Sequence, residues 1–140
     1  MKKRKKVAVY IDGENISARK LDKINAIFER EGQLISASVY RRKNDKFTKR
    51  WHNISRRRKS INEISLHGTP QRDKIDKRIV RDINRDIRNN SDIDVVILFS
   101  SDHGYAQTVE KITGRGKEVI VAGKNISNRL KVVAGAYYEI

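Results

Sequence analysis

The sequence predicts an α/β protein, a three-layer α/β/α sandwich around a mainly parallel central sheet. Two observations predict it. Short apolar runs alternate with longer amphipathic segments from residue 7 to the end. One run, VVILF at 95–99, is five consecutive large apolar residues, as a strand covered on both faces requires. No repeat or low-complexity linker interrupts the alternation, so right-handed crossovers lay helices on both sides of one sheet. A chain of 140 residues is long enough for one such core. The expected organisation is a basic tail over 1–6 and a single domain over 7–140.

VAVYID (7–12) reads as the first strand and 15–32 as a helix, with Ile16, Leu21, Ile24, Ile27 and Phe28 near one face and Gly32 at its stop. LISASVY (34–40) is the second strand. The stretch 45–59 reads as a helix, and the spacing of Phe47 and Trp51 assigns both to the core. INEISLHGT is a weaker third strand. Residues 72–90 have the clearest helical period, with Ile75, Ile79, Ile83 and Ile87 recurring every fourth residue. After the strand at 94–101 come a helix closed by Gly114 and Gly116, the strand EVIVAG, a short helix at 127–135 and a last strand, AYYEI.

The formal charge is +15, from 32 Lys and Arg against 17 Asp and Glu. Solubility needs far less, so a polyanionic partner is expected, nucleic acid before membrane. With no Cys there is no disulfide frame and no thiolate metal site. The apolar stretch after the basic start is too short for a signal peptide or a membrane span, and a cytoplasmic protein is expected.

In open parallel sheets, ligands bind beyond the carboxyl ends of the strands. Asp12 ends the first strand and Asp102 follows VVILFSS. If those strands are neighbours, both carboxylates meet at one crevice. On a helical wheel at about 100° per residue, Asp76 falls among Ile75, Ile79, Val80 and Ile83, and so on the inward face. Asp82 lies at the edge of that face, about 9 Å further along the axis, where it supports the site or pairs with a base. Asp86 reads as structural. Asn15 is an N-cap, a crevice residue, or both. Converging carboxylates repel one another and a phosphodiester, and one hard cation, Mg²⁺ or Mn²⁺, resolves both problems. His52, His67 and His103 have no metal-ligand spacing, and ISLHGTP lacks the acid a phosphorylated receiver needs there.

These residues resemble the NYN domain, a branch of the PIN-like ribonuclease group that includes LabA-like proteins. VAVYIDGENIS resembles its opening strand with D-x-x-N, here Asp12 and Asn15. KIDKRIVRD resembles its helix start, with Asp76 as the acid and Asp82 at the later acidic position. VVILFSSDHGYAQTVEKITGRGKEVIVAG resembles the block in which a strand ends in S-x-D-x-D-[FY], here Ser100, Asp102 and Tyr105. SNRLKVVAGAYYEI resembles the closing stretch. The resemblance implies a PIN-like fold and Mg²⁺- or Mn²⁺-dependent cleavage of RNA. One departure stands out: Gly104 replaces the second acid of the third block.

The expected activity is a metal-dependent ribonuclease hydrolysing RNA phosphodiester bonds. Asp12, Asp76 and Asp102 would hold the metal, Asn15 would orient the first carboxylate or a water, and Ser100, Ser101 and His103 would support the site. The alternatives are an RNA-binding module with weak or lost cleavage and a structure-selective DNA nuclease. Residues 41–60 hold ten Lys or Arg against one acid. Arg41, Arg42, Lys43, Arg56, Arg57, Arg58 and Lys59 are the expected contacts to RNA, single-stranded or structured. A homodimer is compatible with this reading.

Overall fold

The computed structural model describes residues 4–70, 72 and 74–140. Residues 1–3 of the expected tail lie outside the described residues, as do 71 and 73. The described part of the tail is docked: an Arg4 guanidinium nitrogen donates to the Gly32 carbonyl at 2.8 Å.

The elements in chain order are β1 (Lys6–Asp12), α1 (Leu21–Glu31), β2 (Gln33–Arg42), α2 (Lys49–Arg57), β3 (Asn62–Leu66), α3 (Ile75–Asn89), β4 (Val95–Phe99), α4 (Ala106–Gly114), β5 (Glu118–Gly123), α5 (Asn128–Val133) and β6 (Ala136–Glu139). Among the described residues the sheet has six strands in the order β3-β2-β1-β4-β5-β6, and every pairing is parallel.

The period of two along β1 explains the layers. Val7, Val9 and Ile11 join the core under α1 and α2 with Ile24, Phe28 and Trp51. Ala8 and Tyr10 join the opposite core with the isoleucine stripe of α3 and with Val109 and Leu130. Each buried isoleucine on that stripe contributes about 1.5–3 kcal/mol. Winding reverses between β3 and β4, so β1 and β4 lie side by side, with Val7 opposite Val95 and Ile11 opposite Phe99. Their helices leave to opposite faces, which opens a crevice above their carboxyl ends.

Two local readings are corrected. The helix expected over 45–59 begins only at Lys49, because the Asp45 carboxylate takes the Phe47 amide at 2.9 Å and holds a turn there. Phe47 therefore leaves the helical stripe and is 99% exposed, whereas Trp51 is 1% exposed. Asn15 does not cap the first helix. Ser17 caps a 3₁₀ turn over Ala18–Lys20, and α1 continues from it.

Candidate active site at the carboxyl edge of the sheet

Asp12 ends β1 at the floor of the crevice and is 7% exposed. Its Oδ1 accepts the amides of Glu14 at 3.2 Å and Asn15 at 3.3 Å. Its Oδ2 accepts the Tyr105 hydroxyl at 3.1 Å. Burial raises its pKa from 3.8 to about 6, against the opposing pull of those three hydrogen bonds. The loop leaves β1 tightly, with the Gly13 amide donating to the Tyr40 carbonyl at 2.9 Å. A Cβ on Gly13 would collide with that carbonyl, so only glycine fits.

Asp102 stands beyond the end of β4. Its Oδ1 caps the next turn by accepting the Gly104 amide at 3.0 Å. Its own amide donates to the buried Ser100 hydroxyl at 3.3 Å. His103 is exposed, its Nδ1 3.5 Å from Asp102 Oδ1. Asn15 ties the two strand ends together: its Oδ1 accepts the Ser101 amide at 3.0 Å and the Ser101 hydroxyl at 3.2 Å.

Asp76 comes from the start of α3, which runs back from the carboxyl edge. It is half-buried rather than in the core. The wheel gave its direction correctly, but α3 begins at Ile75, so its first turn lies at the crevice rather than over the sheet. The fully buried acid is Asp82, two turns further on. Its carboxylate accepts the Tyr40 hydroxyl at 2.8 Å and lies 3.3 Å from Arg78 and 3.4 Å from Arg85. Asp86 accepts the Tyr10 hydroxyl at 2.6 Å. These two acids join α3 to the sheet.

Gly104 shows where the crevice acids converge. A Cβ built there lies 3.6 Å from Asp102 Oδ1 and 3.7 Å from Asp76 Oδ2, so both carboxylates face one point. Tyr105 links that point to Asp12. Burial, then the charges of Asp12, Asp76 and Asp102, push its hydroxyl pKa far up, which keeps it a proton donor in the hydrogen bond. The sequence marked Tyr105 as a motif position just after Asp102, a residue to line the crevice or to anchor the helix start. Its bond to Asp12 joins residues 93 apart and has no local signal.

Among the described residues, no three His, Cys, Asp or Glu side chains stand close enough together to enclose a metal ion. Asp12, Asp76 and Asp102 nevertheless offer carboxylate oxygens at the crevice, the chemistry Mg²⁺ and Mn²⁺ take. Asp76 and Asp102, each with an oxygen within 4 Å of the Gly104 Cβ position, are the pair that would hold such an ion. Asp12 would join through a water or a small reorientation.

The expected nucleic-acid residues are dispersed. Arg41 is buried, its Nε donating to Thr48 Oγ1 at 3.0 Å and its guanidinium 3.6 Å from Glu63. Arg41 is therefore a strut between β2, the following turn and β3. Arg42 donates to the Gly68 carbonyl at 3.2 Å, and Lys43 is exposed at the carboxyl edge. Arg56, Arg57, Arg58 and Lys59 are exposed but sit at the far end of α2, about 13 Å of helix from its start. A crossover helix runs antiparallel to its strands, so its last turn lies away from the crevice.

An all-parallel sheet covered on both faces, with acids at the carboxyl ends of its two central strands, is a PIN-like domain. The chain belongs to the NYN domain family, whose model matches residues 6–140. That family is a PIN-like nuclease family. A crystal structure of a protein of unknown function from Vibrio parahaemolyticus shares the fold. The TM-score is 0.80 at 23% identity, over 100% of this chain and 95% of that one. Among curated proteins none matches. No helix among the described residues is long and apolar enough to cross a membrane.

Proposed function

We propose that this domain is a divalent-metal-dependent ribonuclease that hydrolyses phosphodiester bonds of single-stranded RNA. The observation that carries the reading is the convergence of Asp76 and Asp102 on one point beside Gly104, next to buried Asp12. Asp76 and Asp102 would hold Mg²⁺ or Mn²⁺, and Asp12 would complete the set. When bound, the ion supplies Lewis acidity at a phosphoryl oxygen. The chain's own residues do the rest. Asn15 fixes the Asp12 loop against Ser101, and Ser100 holds the Asp102 backbone. Tyr105 orients Asp12 by donating to Oδ2. At neutral pH Asp12 is mostly ionised, since its pKa is about 6, and below that pH a proton competes for it.

Gly104 favours a second reading, an RNA-binding domain with weak cleavage, because the crevice has one carboxylate fewer there than the motif supplies. Cleavage of a labelled single-stranded RNA in Mg²⁺ and in Mn²⁺ decides between them. The wild type should cut, and Asp102→Asn should not, while retaining fold and RNA affinity. A wild type free of contaminating nuclease that cuts RNA in neither metal leaves the binding domain. Cutting of DNA but not RNA would assign the activity to the other polymer.

A further inference from the structure

A groove of about 360 Å³ begins one residue behind Asp12, at the Gly13–Ser17 loop, and is walled by Phe47 and α2. A second of about 380 Å³ continues it between α1 and α2, sharing Arg19 and Arg50 and ending at Arg57. The wall is rigid, since the buried Trp51 indole donates to the Ile16 carbonyl at 2.8 Å. Among the described residues the guanidinium groups of Arg19, Arg50 and Arg57 have no hydrogen-bond or ion-pair partner. Those of Arg41, Arg78 and Arg85 are each within 4 Å of a carboxylate. Phe47 stands over the groove's entrance with 99% of its surface in water. Its ring therefore adds nothing to the core.

We infer that this groove is the track for single-stranded RNA leaving the acid crevice. An unpaired base stacks on Phe47, and Arg19, Arg50 and Arg57 take successive phosphates. The features are complementary to that polymer: a free π-face for an unstacked base and unpaired cations on both walls, Arg19 on one and Arg50 and Arg57 on the other. A duplex offers no free base face to the ring. The inference rests on the proposed nuclease reading only for the choice of RNA, and its test is independent of cleavage.

Binding of a fluorescent single-stranded oligoribonucleotide is measured in a chelator, so that nothing is cut. Phe47→Ala should weaken binding by roughly 5- to 150-fold, the range for losing one stacked base. Phe47→Trp should keep the affinity, and its fluorescence should be quenched on binding. Replacing Arg19, Arg50 and Arg57 together with Gln should flatten the log–log salt dependence by about 2, at about 0.7 per phosphate contact. Equal binding by wild type and Phe47→Ala, an unchanged salt slope, or equal competition by duplex RNA would each overturn the track. A protein that binds in this way yet cuts no RNA keeps the track and loses the ribonuclease reading. One that cuts RNA while its binding ignores Phe47 and these arginines loses the track alone.

Discussion

Replacing Asp12 by Asn should make the metal-free protein more stable at neutral pH. Burial lifts the Asp12 pKa from 3.8 to about 6. The folded state therefore binds this proton more tightly than the unfolded chain does. The stabilisation it provides is fully present below pH 4 and is lost as pH rises through 6. At pH 8 the ionised carboxylate destabilises the fold by about 3 kcal/mol, at about 1.36 kcal/mol for each pH unit between the two pKa values. Asn is close to a permanent copy of the protonated acid. It can accept the Glu14 and Asn15 amides and meet the Tyr105 hydroxyl, so most of the 3 kcal/mol should be recovered. For a domain of this size the gain corresponds to about 10 °C in Tm. Linkage reduces the gap to about half at pH 5, where the wild-type acid is largely protonated when folded. Urea denaturation of both proteins between pH 5 and pH 8, in a chelator, measures it. Added Mg²⁺ or Mn²⁺ should stabilise the wild type and narrow the gap. A variant no more stable than wild type at pH 8, or a gap independent of pH, would refute the claim that Asp12 is held charged against its solvation.

Two further changes probe the same crevice. Gly104→Asp should fold, because its Cβ meets only ordinary contacts at 3.6 and 3.7 Å and Gly104 has no positive φ. Its carboxylate joins Asp76 and Asp102, so the metal-free protein should melt lower. Half-saturation by Mn²⁺ in a thermal-shift titration should need at least about tenfold less ion, since a charge pair of this kind at about 4 Å gains roughly 2 kcal/mol even in water. A folded variant without that gain would place the cation elsewhere. Tyr105→Phe removes a hydrogen bond that favours the Asp12 carboxylate, so the Asp12 pKa should rise above about 6. The acid limb of the pH–rate profile should then move to higher pH, with kcat changed little on the alkaline side. An unmoved limb would mean that Asp12 does not set it.

The layer order and the placement of Asp12 and Asp102 beyond the ends of neighbouring strands were legible because both follow from local rules. Apolar runs at period two become strands, and acids at strand ends reach the crevice once β1 and β4 are neighbours. The NYN likeness was legible in short blocks for the same reason, since each block sits at an element boundary. The misreadings share a different cause. Phe47 had the spacing of a core residue, and one Asp45 hydrogen bond removed it from the helix. Arg41 looked like its basic neighbours, and its burial depends on Thr48 and Glu63 arriving from other elements.

By itself, then, the chain determined which segments are strands and helices, which apolar stripes face inward along the regular elements, and which acids stand at the ends of elements. These depend on dihedral preferences and on burying apolar stripes, and they act over a few residues. Only the tertiary structure decided which inward acid lies in the core and which overhangs the crevice. It alone joined Tyr105 to Asp12, and it alone left three arginines unpaired along the groove while Arg41, Arg78 and Arg85 met carboxylates. Those outcomes rest on distances of a few ångströms between residues far apart in sequence. Helical and strand periodicity gives the direction of a side chain but carries no information about what stands opposite it.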